Sequence, residues 1–161
     1  MNDERDESDR AAEIAAYQAA LRAEHAAVYG YGVVGGRIRE GRRDEARSAY
    51  DAHRSRRDEL QRTLRDLGAL PEQAAAAYAL PFPVPDSAAA TRLAAELEDK
   101  VAGVYADVVR ATAGERRRAA ADVLREAAVR AVRWRGGSVA FPGLAERLDP
   151  AAGATATKPR T

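Results

Sequence analysis

Residues 68–86 constrain the fold more than any other stretch of this chain. They join two long helix-forming segments, yet they are far longer than a helical hairpin needs. The sequence here predicts a short helix over Pro71–Tyr78, followed by the proline-interrupted run Ala79-Leu80-Pro81-Phe82-Pro83-Val84-Pro85. A short helix plus an extended run reaches roughly 48 Å, at ~1.5 Å and ~3.3 Å per residue. The preceding helix is roughly 39 Å long by the same rise. The connection can therefore cross the full length of a bundle. The remaining helix pairs are joined by only a few residues, at Gly41 and at Gly114, so each pair is an antiparallel hairpin.

The helices follow from caps and breakers. Ser8 or Asp9 caps a first helix that runs to about Arg39, and Gly41 turns the chain. A second helix covers Arg42 to Leu67, with Gly68 at its C-terminal cap. Asp86 or Ser87 caps a third, which ends near Thr112, and a fourth covers Glu115 to Arg135 before Gly136 and Gly137. Residues 1–8 are an acidic, frayed terminus and residues 9–148 form the domain. Residues 149–161 are a disordered tail, preceded by a small apolar anchor, Val139-Ala140-Phe141-Pro142-Gly143-Leu144. The expected fold class is all-α: two antiparallel hairpins joined by a long Pro-rich crossover, the topology of ferritin-like four-helix bundles.

The inward faces can be read from three-and-four spacing. Helix one offers Ile14, Tyr17, Leu21, Glu24, Val28, Tyr31, Gly35 and Ile38. Helix two offers Ala46, Tyr50, His53, Arg57, Leu60, Leu64 and Leu67. Folding the hairpin at Gly41 sets Ile14 against Leu67, Leu21 against Leu60, Glu24 against Arg57, Val28 against His53 and Tyr31 against Tyr50. In the second hairpin Leu97, Val101, Val104 and Val108 face Ala131, Ala127, Leu124 and Ala120, with Leu93 and Trp134 at the far end. Gly30, Gly32, Gly35 and Gly36 sit inside helix one, each costing about 1 kcal/mol relative to Ala. They read either as close helix approach, at Gly32 and Gly36, or as a break near Gly30. Burial of Val33, Val34 and Ile38 favours the continuous helix.

Composition excludes several function classes. Among 161 residues there is no cysteine, which removes thiolate catalysis, disulfides and thiolate metal sites. Alanine is abundant, and it is the strongest helix former. Basic and acidic residues number 26 and 25, a net charge of +1, so no strong field draws nucleic acid or a membrane surface. Arginine runs on helix two alternate with acids as a solvated face does, and the more basic helix four carries no specific nucleic-acid signal. No apolar stretch approaches the roughly 20 residues of a membrane span. The acidic N-terminus has no leader-like apolar core, which predicts a cytoplasmic protein.

The segments AEHAAVYGYGVVGGRI (23–38), AYDAHRSRRDEL (49–60), YALPFPV (78–84), AAVRAVRWRG (127–136) and AFPG (140–143) resemble an actinobacterial group of small ferritin-like proteins. That group is classified as a domain of unknown function. The resemblance implies a ferritin-like four-helix bundle and no established activity.

Ferritin-like di-iron proteins take a Glu from each of two helices and a Glu-x-x-His from each of the others. Here the two histidines, His25 and His53, follow Arg22 and Tyr50 at that spacing, so the motif is absent. Glu96, Glu98, Asp99, Asp122 and Glu126 fall mainly on flanking or outer faces. The expectation is a degenerate metal site with no metal and no cofactor. What remains is a polar cluster of Glu24, His25, His53 and Arg57. It reads first as a buried Glu24–Arg57 ion pair with histidines beside it, in a binding or assembly protein rather than an enzyme. The alternative is a pocket in which these residues serve a small anionic ligand or a mononuclear metal, with enzymatic activity left open. A homodimer is the other partner considered, through a face that crossover and tail leave uncovered.

Overall fold

The computed structural model describes residues 2–136. It is an all-helical four-helix bundle: α1 (Asn2–Arg37), α2 (Arg43–Asp66), α3 (Ser87–Ala111) and α4 (Gly114–Arg135), with one 3-10 turn at Glu40–Arg42. Helix α1 takes in most of the acidic residues read from sequence as a frayed terminus, starting before Ser8 and Asp9. It also runs unbroken through its glycines. The close approach falls on Gly30 rather than on Gly32 and Gly36: a Cβ on Gly30 would stand 2.5 Å from Leu97 Cδ1, whereas Gly32 and Gly36 face open space. The Val139–Leu144 anchor and the 149–161 tail lie outside the described residues.

Helix ends follow the chemistry read from sequence. Gly68 adopts φ 78°, and α2 closes with Gly68 N–H donating to Arg65 O and Ala69 N–H to Leu64 O. This paired bonding satisfies the last carbonyls and needs a left-handed residue, which glycine supplies without strain. Asp86 caps α3, its side chain accepting from Ala89 N–H at 2.8 Å.

The crossover contains no helix; the short helix expected over Pro71–Tyr78 is absent. Its backbone groups are bound by α1 side chains instead of by each other. Gln18 donates to Leu70 O and accepts from Glu72 N–H, the His25 ring donates from Nε2 to Glu72 O at 3.1 Å, and Arg22 pairs with the Glu72 carboxylate. Tyr29 packs its ring 5.6 Å from that of Tyr78. These four α1 residues lie at helical spacing on one stripe, so the strap climbs along α1 until Ser87 Oγ accepts from Arg39 N–H. The strap thus carries the chain back to the top before α3 descends. α1 and α4 run one way and α2 and α3 the other.

The core falls into two apolar halves. One gathers Tyr17, Leu21, Leu60, Leu64, Val101, Tyr105, Val108, Ala120 and Ala127. The other gathers Tyr31, Val34, Ile38, Ala46, Ala49, Leu93, Ala94 and Trp134, with Leu80, Phe82 and Val84 of the strap packed over it. On α2, α3 and α4 the positions that separate the halves are those of a polar layer, which Glu24 joins from α1.

Candidate functional site

That layer is built from one residue of each helix: Glu24 of α1, His53 of α2, Glu98 of α3 and Arg130 of α4. The first three are fully buried. His53 sits at the centre. Its Nδ1 lies 2.6 Å from Glu24 Oε2 and its Nε2 lies 3.1 Å from Glu98 Oε1. Ionised carboxylate oxygens only accept, so with both carboxylates ionised each ring nitrogen donates and the ring is an imidazolium. Glu98 Oε1 also accepts from Arg130 Nε at 2.8 Å and from the Tyr31 hydroxyl at 2.7 Å. Tyr31 in turn accepts from Trp134 Nε1 at 2.8 Å, and its ring stacks on His53 with centroids 5.2 Å apart. Two carboxylates, one imidazolium and one guanidinium sum to zero charge, the condition under which a dry layer of ions is tolerable.

The sequence-derived cluster is divided by the fold. Glu24 and His53 are joined. His25 is turned to the strap, bonded to Glu72 O, and takes no part in the layer. Arg57 does not meet Glu24; its Nε and Nη2 donate to Asp58 Oδ1, and its side chain is 25% exposed. The expected Glu24–Arg57 contact is absent, and His53 takes that place: it bonds Glu24 and stacks on Tyr31, so it sits between two successive inward turns of α1, beside Val28 as the hairpin pairing has it. Arg10 donates from Nη2 to the Leu67 carbonyl. The compact imidazole fits the fully buried slot, while the long stem of Arg57 lets its guanidinium reach the surface.

The sequence sets Glu98 among the flanking or outward carboxylates, whereas it is fully buried on α3. Its position four residues after Ala94 and three before Val101 lies on the inward face of α3, and that spacing was the available signal. Arg130 stands opposite it in the register that pairs Val101 with Ala127, so the second hairpin folds as read.

Burial alone would push His53 down, but the hydrogen bonds and charges of Glu24 and Glu98 outweigh it and hold its pKa above 6.5. Burial alone would raise Glu98, but the bond and charge of His53, then Arg130 and Tyr31, hold it below 4.5. Tyr31 and Tyr105 are both pushed well above 10, first by burial and then by the carboxylates of Glu98 and Glu24 respectively. The linkage has a definite sign. The raised His53 contributes stability that is complete below 6.5 and is lost as pH rises through its folded pKa. The lowered Glu98 contributes stability present above 4.5 and lost as pH falls through its own. Urea midpoints are therefore expected to be highest between these limits and to fall on both sides. An alkaline fall that persists unchanged in His53→Gln would contradict the assignment.

A di-metal centre does not fit these residues. Both nitrogens of His53 are occupied by carboxylates, and the guanidinium of Arg130 takes the place of a fourth-helix ligand. Among the described residues no three His, Asp or Glu side chains are arranged to hold a metal ion. Among them, too, no helix is long and apolar enough to cross a membrane.

A family model described as a domain of unknown function, DUF4439, matches residues 16–146. No curated protein matches the chain. Among solved structures, it is similar to a conserved hypothetical protein from Mycobacterium tuberculosis, at 38% identity and a TM-score of 0.76. That likeness covers 78% of this chain and 96% of the mycobacterial one.

Proposed function

The chain belongs to the DUF4439 family, a domain of unknown function, and on that premise we propose that it is a ferritin-like bundle with a degenerate metal site. Its role in this reading is binding or assembly in the cytoplasm of an actinobacterium, without chemistry at a metal. One observation carries the reading: the imidazole that would serve a metal has both nitrogens bonded to Glu24 and Glu98. A metal would have to displace the imidazolium proton and accept the Arg130 guanidinium, 2.8 Å from Glu98, as a like-charged neighbour. The up-down-down-up helix order with a long crossover supports the ferritin-like assignment. The neutral layer fixes how the helices meet, as buried polar groups do where they specify register.

Elemental analysis combined with native mass spectrometry tests this. The expected result is purified protein at the mass of its chain or of a homodimer, with far less than one transition metal per chain. One or two metals per chain, released by chelator with loss of structure, would overturn it.

A further inference from the structure

α3 packs along α4 and α1, and α1 along α2, but α2 and α4 make no comparable contact. The Arg56–Glu126 ion pair bridges this open side. Towards the end where α2 finishes and α4 begins, the gap widens into a cleft of about 260 Å³. That is the volume of about nine water molecules in the liquid. Its inner wall is apolar and aromatic: the buried Tyr17, Tyr105, Leu60 and Ala120.

The charges at its two depths differ. Arg56 lines the cleft and is largely buried; its Nη2 is spent on Glu126, while Nη1 is buried with no hydrogen-bond partner among the described residues. An unmet guanidinium N–H in a low-dielectric wall calls for an acceptor; Nη1 is closed to solvent as it stands, so meeting a ligand in the cleft requires the guanidinium to turn. At the mouth stand Glu59 and Glu115, both exposed and neither in an ion pair among the described residues, whereas Arg116 beside them is already held by Glu13. Water screens the mouth carboxylates more than it screens Arg56, so an anionic group is favoured inward and a cationic one outward.

We propose that this cleft binds a small zwitterion of amino-acid type with an apolar side chain. Its carboxylate meets Arg56, its ammonium lies between Glu59 and Glu115, and its side chain rests on Leu60, Ala120 and the two tyrosine rings. The site is independent of the metal-free reading, since a metal in the polar layer would not fill it.

The test uses the full chain and three probes of one shape: L-leucine, 4-methylpentanoate (no ammonium) and 3-methylbutylamine (no carboxylate). Amide shifts in ¹⁵N spectra are expected to saturate with L-leucine at Ala119, Ala120 and Val123, with a Kd of about 1 mM or tighter. Each analogue should bind roughly tenfold more weakly. Arg56→Gln should erase the preference over the amine, and Glu59→Gln with Glu115→Gln the preference over the acid. If Arg56→Gln fails to fold, Ala119→Leu, on the exposed rim, should abolish binding by filling the cleft. The absence of saturable shifts with L-leucine, equal binding of all three probes, or full binding by Ala119→Leu would each overturn the proposal.

Discussion

His53→Leu is expected to lower the unfolding free energy by about 3–5 kcal/mol, read from urea midpoints. Among the described residues the ring is the one partner that joins the two buried carboxylates, and both of its nitrogens are in use. Glu98 keeps Arg130 and Tyr31 after the substitution. Glu24 does not fare so well: the one hydrogen bond that an ionised partner gives it is lost, inside a site closed to water. The loss therefore concentrates on Glu24, and adding Glu24→Gln should recover a good part of it, because a neutral amide is far less costly to bury. A double-mutant cycle on the pair should show coupling well above the roughly 0.5 kcal/mol expected of independent sites. An unchanged midpoint in His53→Leu would mean that the layer contributes nothing to holding the bundle together.

Trp134→Ala is expected to cost about 3–5 kcal/mol, the range for emptying a large aromatic site. The indole is buried in the upper half of the core, donates to Tyr31, and is covered by the Arg42 guanidinium 3.9 Å above its ring. Removing it opens a void beside Leu93 and Ala94 and leaves Arg42 without its aromatic partner. Trp134→Phe keeps most of the volume and loses only the N–H, which Tyr31 tolerates because its own proton still goes to Glu98. That variant should cost about 0.5–1.5 kcal/mol. Equal losses in the two variants, followed by far-ultraviolet circular dichroism, would show that the hydrogen bond and not the packing dominates.

Much of the architecture was legible because it depends on spacing and on breakers. The helix boundaries at Asp86, Gly68 and Gly136, the two hairpins and the long return strap each follow from a residue with one physical consequence. On α3 and α4 the expected Val101, Val108, Ala120, Ala127 and Ala131 are buried, whereas Leu97, Val104 and Leu124 are half-buried at the flank and Glu98 and Tyr105 take inward places. The polar layer was harder. Three-and-four spacing gives the level at which residues face each other but not which of two neighbouring turns a long side chain reaches, so Glu24 meets His53 and Arg57 turns outward to Asp58. Glu98 was hidden for a related reason: carboxylates are mostly solvated, and its inward placement makes sense only once His53 and Arg130 are known to face it. The strap's lack of helix depends on Gln18, His25 and Arg22, residues some fifty positions away that capture its backbone and its Glu72 carboxylate. No local propensity carries that information.

The polar layer also bears on the order in which the molecule can be assembled. Glu24 and His53 belong to the first hairpin, Glu98 and Arg130 to the second, so each half carries one anion and one cation before it meets the other. Neither half needs its partner in order to neutralise its own interior charge. Each hairpin can pair its ions locally, at short chain separation and low loop-closure cost, while water still reaches them. Docking then brings together two neutral dipoles, sparing the folding chain a step in which a lone charge must be carried into a dry interface. The long strap is left to join two halves that are already electrically complete.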